Sequence, residues 1–528
     1  MHEALFDCLR AVCGAEALAC DPASLDAARH DVHESGQLPI AILTPSDADC
    51  VAPAIAAITA AGCSVAPRGG GLSYTAGYVP ADNRTVLIDL SGLNRILEIR
   101  PEDMTVTVEA GVTWAQLHAA LAPHGLRLPF FGTFSGKGAT VGGGLSHGTL
   151  FFGSARYGSA AEMTLAMDVV LADGSVIGTG QGALLAKGRS AFRGFGPDLT
   201  GLFLNDGGTL GLKIRATFRV IRAPAHLAHA SFAFERLGDA CRALCAISGE
   251  GLAEDCYIMD PGATDHLDLG VADMVRSATA VARASRGLLD AGKSLFGMAA
   301  GGQAVIPQGH YSLHMTAAGR HSGAVAQDIA DAGTLARRHG GQEVAATIPM
   351  VARADPFPNL NGVLGPGGGR WAAINAKVAL SEAERLTFEF DAIIASHQAG
   401  MEKAGVRVTR LASAFSNHCF SFEGVFHWRD SWLPLHRSAP DSAHVARFDE
   451  PGPDPAAREM VETLRRETVD LFRRLGAASN QIGRTYPYLS ALLPETRDLL
   501  LAIKRAVDPD MRMNPGVLEF PFSDIKSY

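Results

Sequence analysis

Two glycine-rich segments in the first part of the chain have the composition of anion-binding loops. The first reads Pro67-Arg68-Gly69-Gly70-Gly71-Leu72-Ser73-Tyr74, and the second runs from Gly132 to Gly144. Glycine has no Cβ, so it tolerates positive φ angles and lets the backbone approach a ligand closely. Successive amide N–H groups in such turns form concave nests for anions, phosphate above all. Two nests in one region favour a diphosphate cofactor over a single phosphate.

Neither segment carries a common nucleotide-binding signature. The sequence contains no G-x-x-x-x-G-K-[ST] loop. We also find no strand–G-x-G-x-x-G–helix unit with an acidic residue about twenty positions further on. A fold of another type is therefore expected to hold the phosphates.

Composition and charge narrow the class of protein. The 528 residues predict two or three domains, and 47% hydrophobic with 19% charged residues is typical of a globular enzyme. A net charge of −9 argues against a nucleic-acid surface. The nine cysteines lack C-x-x-C spacing, which favours reduced thiols and no metal site. No apolar signal region and no membrane span are evident, so we expect a cytoplasmic protein.

The pattern of elements changes near residue 223. Before it, short strands alternate with helices, and the strands are predicted at 40–43, 64–67, 86–90, 104–110, 162–171 and 210–221. Thr113 is a predicted N-cap for a helix to Leu121. After it, strands at 229–234, 311–317, 371–380, 406–411 and 418–427 alternate with longer helices, such as 382–404. This alternation of strands and longer helices predicts an antiparallel sheet covered by helices on one face.

In this order, the two glycine segments resemble the FAD-binding half of the vanillyl-alcohol oxidase / p-cresol methylhydroxylase (PCMH) superfamily. Three more segments strengthen the resemblance: Phe152 to Glu162 with Val169 to Gly174, Asn205 to Gly211, and Asp508 to Gly516. The resemblance implies an α+β fold, with a two-lobed PCMH-type FAD-binding domain and an α+β cap domain with an antiparallel sheet. We expect a helical segment at 1–35, the FAD domain at 36–223, the cap at 224–470, and a returning C-terminal segment at 471–528.

The resemblance also implies which residues contact FAD. Around the diphosphate it places Arg68, Gly69, Gly70, Gly71, Leu72 and Ser73. Along the diphosphate and the flavin edge it places Gly132, Thr133, Gly136, Thr140, Gly142 and Gly143. The ribityl and adenine side receives Ser146, Gly153, Tyr157 and Gly158, and the flavin pocket receives Asn514.

The residues that attach flavin covalently in related proteins are missing. In one branch of the superfamily a histidine of R-x-G-G-H-S-Y makes the bond, and here Leu72 stands in that frame. Residues 129–148 contain no cysteine, which removes the second common linkage. We therefore expect non-covalent FAD, with His418 and His147 as the remaining candidates for a link.

Catalytic candidates lie on a cap strand and near the C-terminus. In Ser416 to Trp428, period-2 alternation places His418, Phe420, Phe422, Phe426 and Trp428 on one face and Asn417, Glu423 and His427 on the other. An aromatic face suits either a pocket over a flavin ring or packing under helices. His418 is a candidate general base. Arg484 is a candidate for binding an anionic substrate group, and Tyr486 is a candidate phenolic donor.

The resemblance implies hydride transfer from a hydroxylated substrate to flavin N5. A phenolic or aryl alcohol is favoured, because the His-Ala-Gly-Asp-Gly-Asn-type metal stretch of the glycolate and D-lactate group is not found. A D-2-hydroxy-acid dehydrogenase is the alternative, and a non-catalytic flavin-binding subunit is the alternative from another class. The expected electron acceptor is O2 or a separate redox protein. A homo-oligomer is compatible with the sequence.

Overall fold

The structure is a computed structural model that describes residues 2–186, 188–264 and 306–522. Part of the expected cap domain and the last residues of the expected C-terminal segment lie outside these ranges. The described chain is a mixed α+β fold with antiparallel sheets, as predicted. Among the described residues, no helix is both long and apolar enough to cross a lipid bilayer.

The first lobe is built on a four-stranded sheet with the spatial order β1-β2-β4-β3. Its strands are β1 Leu18–Ala19, β2 Ala41–Leu43, β3 Ser64–Arg68 and β4 Thr85–Asp89. Strands β2 and β3 both run parallel to β4, so a crossover must join them. Helix α3 makes that crossover and buries its apolar face on the sheet. The helices of this lobe are α1 Glu3–Cys13, α2 Pro22–Ala28 and α3 Val51–Ala60.

The second lobe is an antiparallel sheet with the spatial order β5-β6-β10-β8-β9. Thr113 caps α4 as predicted, because its side chain accepts a hydrogen bond from Gln116 N and Gln116 reciprocates. The strands are β5 Ile96–Arg100, β6 Thr105–Glu109, β8 Thr164–Val170, β9 Val176–Gly178 and β10 Leu212–Arg219, with β7 Leu126–Arg127 paired to β11 Ile221–Arg222. The helices are α4 Trp114–Leu121, α5 Val141–His147, α6 Ser154–Tyr157, α7 Ala160–Met163 and α8 Leu199–Leu202.

The cap is a seven-stranded antiparallel sheet with the spatial order β15-β12-β14-β13-β17-β18-β16. Helices cover one face, and this apolar face holds the largest core of the molecule. The strands are β12 His226–Phe234, β13 Asp255–Met259, β14 Tyr311–Gly319, β15 Gln342–Val344, β16 Arg370–Ala379, β17 Arg407–Phe415 and β18 Cys419–Trp428. The helices are α9 Leu237–Gly249, α10 Pro261–Thr264, α11 Ser322–Arg338, α12 Thr347–Ala354, α13 Ala383–Ser396, α14 Gln398–Ala404, α15 Pro434–Ser438 and α16 Ser442–Val445.

Sequence patterns located most strands of the cap but missed β13 and β15. They also predicted one helix over 382–404, whereas the helix breaks at His397 into α13 and α14. After the cap, α17 Pro455–Arg474 packs on the cap sheet and α18 Pro494–Val507 leads back to the first two lobes. There Met513 pairs with Val65 beside β3. The end of the described chain therefore lies next to the first glycine segment.

Candidate functional site

The first glycine segment leaves β3 and turns back over the side chain of Arg68. Gly71 has φ of +67°, and a Cβ there would lie 2.6 Å from Arg68 Nη2. The Tyr78 hydroxyl donates a 2.5 Å hydrogen bond to the carbonyl oxygen of Gly71, and the Arg68 guanidinium lies 5.5 Å from the Tyr78 ring centre. Arg68 Nε is buried without a hydrogen-bond partner among the described residues. A cation is therefore held at the start of the loop.

The amide groups of this loop lack protein acceptors. From Gly69 to Ser73, no N–H donates a hydrogen bond to another described residue. The same is true of the amides from Gly132 to Ser135 at the start of the second segment. Backbone donors in folded proteins normally find partners, and successive free donors form a nest for an anion. These two runs of amides are the available donors of the site.

The two glycine segments approach each other more closely than any side chain would allow. A Cβ on Gly69 would lie 2.2 Å from Thr140 Oγ1, and a Cβ on Gly70 would lie 2.0 Å from the carbonyl oxygen of Gly138. Thr140 is the N-cap of α5, where its hydroxyl accepts a hydrogen bond from Gly143 N. The first loop is thus fixed against the start of this helix.

Most of the second segment serves as a scaffold. Gly136 N donates to Thr133 O, and Gly142 N donates a 2.7 Å hydrogen bond to Ala110 O. Gly132 has φ of +106°, and a Cβ there would lie 2.3 Å from the Trp114 ring. Packing therefore requires glycine at Gly132, and the unpartnered donors lie at the start of the segment, from Gly132 to Ser135.

Two of the residues assigned to the ribityl and adenine side make backbone hydrogen bonds, one within this lobe and one to the cap. The carbonyl oxygen of Ser146 accepts a 2.7 Å hydrogen bond from Gly207 N. Gly153, with φ of +91°, donates a 2.6 Å hydrogen bond to Asp255 Oδ1 on β13 of the cap. The other two assigned residues, in α6 and at its end, are Tyr157 and Gly158.

His147 ties the end of α5 to the first loop. Its Nε2 lies 2.9 Å from Ser73 Oγ and 2.7 Å from Thr75 Oγ1. Burial lowers the pKa of His147 to about 4, because a charged imidazole would lose its hydration there. The ring is therefore neutral near pH 7.

Asn514 closes the site from the C-terminal side. Its Nδ2 donates hydrogen bonds of 2.8 Å to Gly77 O and 2.6 Å to Gly207 O. Its own amide donates to Val65 O on β3. The buried Oδ1 has no partner among the described residues. Asn514 therefore joins three backbone segments and leaves one acceptor for another group.

The segment from Ala478 to Tyr486 runs between the first loop and the cap sheet. Arg484 N donates a 2.8 Å hydrogen bond to Thr75 O, and Arg484 Nη2 donates to Pro515 O. Burial lowers the pKa of Arg484, although nearby carboxylates, Glu34 first among them, oppose that shift. The Tyr486 hydroxyl accepts a 2.6 Å hydrogen bond from the backbone N–H of Asn375, and burial raises its pKa to about 12. Both predicted residues thus lie on one segment beside the loop.

A polar face of the cap sheet lies against this segment. Lys377 N and O pair with Ala478 on it. The Lys377 ammonium donates a 3.2 Å hydrogen bond to Asn375 Oδ1, which also accepts one of 3.0 Å from the Ser479 hydroxyl. Asn375 is paired with Glu423 in the register of β16 and β18. A lysine, an asparagine and a glutamate therefore share one part of this face.

Burial shifts the pKa values of the two charged residues on this face, Lys377 and Glu423. Burial raises the pKa of Glu423 to about 7, opposed by the charge of Lys377. Burial lowers the pKa of Lys377 to about 8, opposed by Glu423. Burial thus shifts the pKa of each group toward neutrality, a pattern that is typical of functional sites.

The aromatic face of β18 is not part of this site. Phe420, Phe422 and Phe426 are buried in the cap core, where Phe422 packs 4.9 Å from the Phe390 ring of α13. Alternation correctly placed them on one face, and of the two alternatives for that face the structure shows packing under helices rather than a pocket over a flavin ring. His418 lies at the exposed turn between β17 and β18, and the structure does not bring it to Arg484 or Tyr486.

Lys377 and Glu423 were missed as candidate site residues. Each is a charged residue in the middle of a mostly apolar strand sequence. The two sequences are Ala-Ile-Asn-Ala-Lys-Val-Ala and Phe-Ser-Phe-Glu-Gly-Val-Phe. Such residues rarely occur in buried strands without a role or a partner. That signal was available, but it required knowing that the two strands are neighbours.

The residues present fit the FAD that the sequence implies. A diphosphate needs several donors close together, and the amides of 69–73 and 132–135 are such donors. The unpartnered Arg68 Nε and Asn514 Oδ1 add a cationic donor and an acceptor. When bound, FAD supplies a two-electron acceptor.

Part of the chain is similar in sequence to known proteins. The FAD binding domain family matches residues 39–180. The chain is 30% identical over 190 residues to mitochondrial D-lactate dehydrogenase (cytochrome) 1 of Saccharomyces cerevisiae, covering 36% of this chain and 31% of that protein. It is 30% identical over 187 residues to glycolate oxidase subunit GlcD of Bacillus subtilis, covering 35% and 38%. The chain thus matches about a third of the length of these curated relatives.

Solved structures share the fold over almost the whole chain. The structure of p-cresol methylhydroxylase with substrate bound has a TM-score of 0.71 and 19% identity, covering 98% of this chain and 96% of that one. 4-Ethylphenol oxidase from Gulosibacter chungangensis has a TM-score of 0.70 and 16% identity, covering 98% and 97%. Alkyldihydroxyacetonephosphate synthase has a TM-score of 0.66 and 15% identity, covering 98% and 85%.

Proposed function

We propose that this chain is an FAD-dependent oxidoreductase of the PCMH-type superfamily of FAD-linked oxidases, and that it oxidises a hydroxylated small molecule. The observation that carries the proposal is that the amide groups of 69–73 and 132–135 donate no hydrogen bond to another described residue. These amides lie in two glycine segments that contact each other at Gly70 and Gly138. The fold also occurs in alkyldihydroxyacetonephosphate synthase, so the fold does not by itself identify the reaction.

The substrate is placed between the FAD domain and the polar face of the cap sheet. Arg484 and Tyr486, on the C-terminal segment beside this region, remain our candidates for contact with the substrate. Arg484 offers a planar cation for an anionic oxygen. His418 lies in the exposed turn, so we assign it no contact with substrate.

A phenolic or aryl alcohol is the first candidate substrate. Aromatic rings gather beside the second glycine segment: Phe151 stacks on Phe152 at 4.3 Å, and Phe152 lies 6.3 Å from Tyr257 of the cap sheet. A planar aromatic ligand beside these rings would pack on them in an offset-stacked or edge-to-face arrangement. This cluster, rather than the face of β18, is what supports an aryl substrate.

A D-2-hydroxy acid is the second candidate. The named relatives over the FAD-binding region include a D-lactate dehydrogenase and a glycolate oxidase subunit. The cations Arg484 and Lys377 would suit a substrate carboxylate.

Anaerobic reduction of the purified holoprotein tests the proposal. A panel that pairs D-lactate and glycolate with benzylic alcohols and 4-alkylphenols is added to the oxidised protein, and bleaching of the flavin band is followed. Full reduction by one class supports an oxidoreductase and identifies that class. If no member of a broad panel reduces the flavin, the catalytic proposal is wrong and a flavin-binding subunit is favoured.

The FAD is proposed to be non-covalent. Leu72 cannot form a bond to flavin, and His147 is neutral and hydrogen-bonded to Ser73 and Thr75. Acid precipitation should therefore release all flavin into the supernatant. Yellow colour that stays with the denatured pellet would contradict this.

A further inference from the structure

Building on the proposed function, we propose that the carboxylate of Glu423 accepts the proton of the substrate hydroxyl, and that Lys377 and Asn375 position and charge it for this step. None of these three residues was identified from the sequence as a site residue. The proposal rests first on their geometry.

Neighbouring strands bring the three side chains onto one face. Asn375 of β16 is the register partner of Glu423 on β18, and Lys377 is the partner of Ser421 two positions away. Diagonal neighbours of this kind are about 7–8 Å apart at Cα, within reach of a lysine side chain. The Lys377 ammonium is oriented by its 3.2 Å hydrogen bond to Asn375 Oδ1. Asn375 is itself held by Ser479 and Tyr486.

Glu423 is left with free acceptors. Among the described residues its carboxylate makes no hydrogen bond and no ion pair within 4.0 Å, although Lys377 is near enough to influence it. Its oxygens are not among the fully buried atoms, so they still reach accessible space. Glu423 is half-buried, and a carboxylate that loses much of its hydration normally takes a partner. This one is arranged to accept a hydrogen bond from a ligand that enters beside the first glycine loop.

The groups that face Glu423 from each packed element favour a carboxylate that exchanges a proton near neutral pH. They are Lys377 on β16, Tyr74 at the end of the first glycine segment, and Tyr486 on the C-terminal segment. Cys419, on the same strand as Glu423, lies near Lys377. Burial raises the pKa of both tyrosines and of Cys419, so these three stay neutral. Arg465 lies behind them, with its guanidinium on the carbonyl oxygens of Ala373 and Tyr74.

The proposed step is the two-electron oxidation of an alcohol to a carbonyl compound. The substrate O–H bond breaks, its electron pair stays on oxygen, and the proton binds the Glu423 carboxylate. The adjoining carbon gives up a hydride, with two electrons, to the FAD that the family binds, and a carbonyl group forms. Glu423 then returns its proton to solvent. Loss of the Lys377 charge would make Glu423 harder to ionise.

The test compares Glu423→Gln, Lys377→Met and Lys377→Arg holoproteins with wild type, and with Glu250→Gln as a matched control at an exposed helix end. Anaerobic flavin reduction is measured against pH with the best substrate of the panel. We expect Glu423→Gln to slow reduction roughly 10²- to 10⁴-fold with little change in substrate affinity. Wild-type reduction should fall as pH drops below 7. Lys377→Met should move that fall to higher pH, because the neighbouring positive charge is lost. Lys377→Arg keeps the charge and should fall at the wild-type pH, and Glu250→Gln should behave as wild type.

A second readout does not depend on turnover. Infrared pH titration of the holoprotein should show the carbonyl band of a protonated carboxyl group that disappears near pH 7 in wild type. Burial also raises the pKa of Glu34 to about 7, so two carboxyl groups contribute to this band. The band should lose about half of its amplitude in Glu423→Gln and keep its full amplitude in Glu250→Gln.

The outcomes separate the two proposals. If wild type is reduced and Glu423→Gln is reduced equally fast, the role of Glu423 is wrong while the oxidoreductase stands. If no substrate reduces wild type, the proposed function fails first. A carboxyl band near neutral pH that has the same amplitude in wild type and Glu423→Gln would overturn the assignment in either case.

Discussion

A Cβ placed on Gly70 would lie 2.0 Å from the carbonyl oxygen of Gly138, so the two glycine segments are in direct backbone contact. The contact joins the loop after β3 to the loop before α5. Backbone cannot give way as the end of a flexible side chain can. Much of the cofactor site therefore depends on one pair of residues.

Gly70→Ala should open this contact and weaken FAD binding by at least tenfold. Overpacking of this kind costs about 1–3 kcal/mol, and here the strain falls on the donors themselves. Titration of the apoprotein with FAD, read by quenching of flavin fluorescence, gives the dissociation constant. Gly249→Ala is the control, because its Cβ would meet nothing within 4 Å. Equal affinity of the two variants would contradict the prediction.

Asn514→Ala should destabilise the site from the C-terminal side. The substitution leaves the carbonyl oxygens of Gly77 and Gly207 without their donors, and each buried unsatisfied group costs about 1–3 kcal/mol. We expect a lower thermal unfolding midpoint and weaker FAD binding. Asn83→Ala, at an exposed position, should change neither. A variant with wild-type midpoint and affinity would show that Asn514 is dispensable.

Glu254→Ala should loosen the attachment of the cap to the FAD domain. Glu254 lies beside β13 of the cap and joins Arg127 of the second lobe, at 2.6 Å, to Arg353 of α12. Breaking a buried pair costs about 3–5 kcal/mol, because the remaining charges lose their partner. Urea unfolding should show this loss. Glu467→Ala, which removes a half-exposed pair with His397, should cost no more than about 1 kcal/mol.

Acid should weaken the first glycine loop through His147. Its folded pKa of about 4 lies below the unfolded value of 6.5, so the unfolded state binds protons more readily in between. Stability is present above pH 6.5 and is lost as pH falls toward 4, by at most about 3 kcal/mol. Unfolding free energies measured across this range should fall more steeply for wild type than for His147→Gln. His124→Gln, at an exposed position, should keep the wild-type slope.

The amino-acid sequence by itself determined the type of cofactor site. Glycine is the residue that permits the close approach at Gly70 and the positive φ angles at Gly71 and Gly132, so local composition was enough to locate the loops. Thr113 was enough to predict the start of α4, because helix capping is a local interaction. The strands of the cap followed from period-2 alternation, which also grouped Phe420, Phe422 and Phe426 correctly.

Only the tertiary structure decided which face of the cap sheet meets the FAD domain. Alternation divides a strand into two faces, but which face the helices cover depends on contacts with α13 and α17, far away in the chain. For the same reason the sequence proposed His418, which lies in a turn, and overlooked Glu423. Glu423 gains its surroundings from β16, from Tyr74 and from Tyr486, and these neighbours are separated from it by tens to hundreds of residues. A site assembled across such distances is set by the packing of the domains, which no local pattern records.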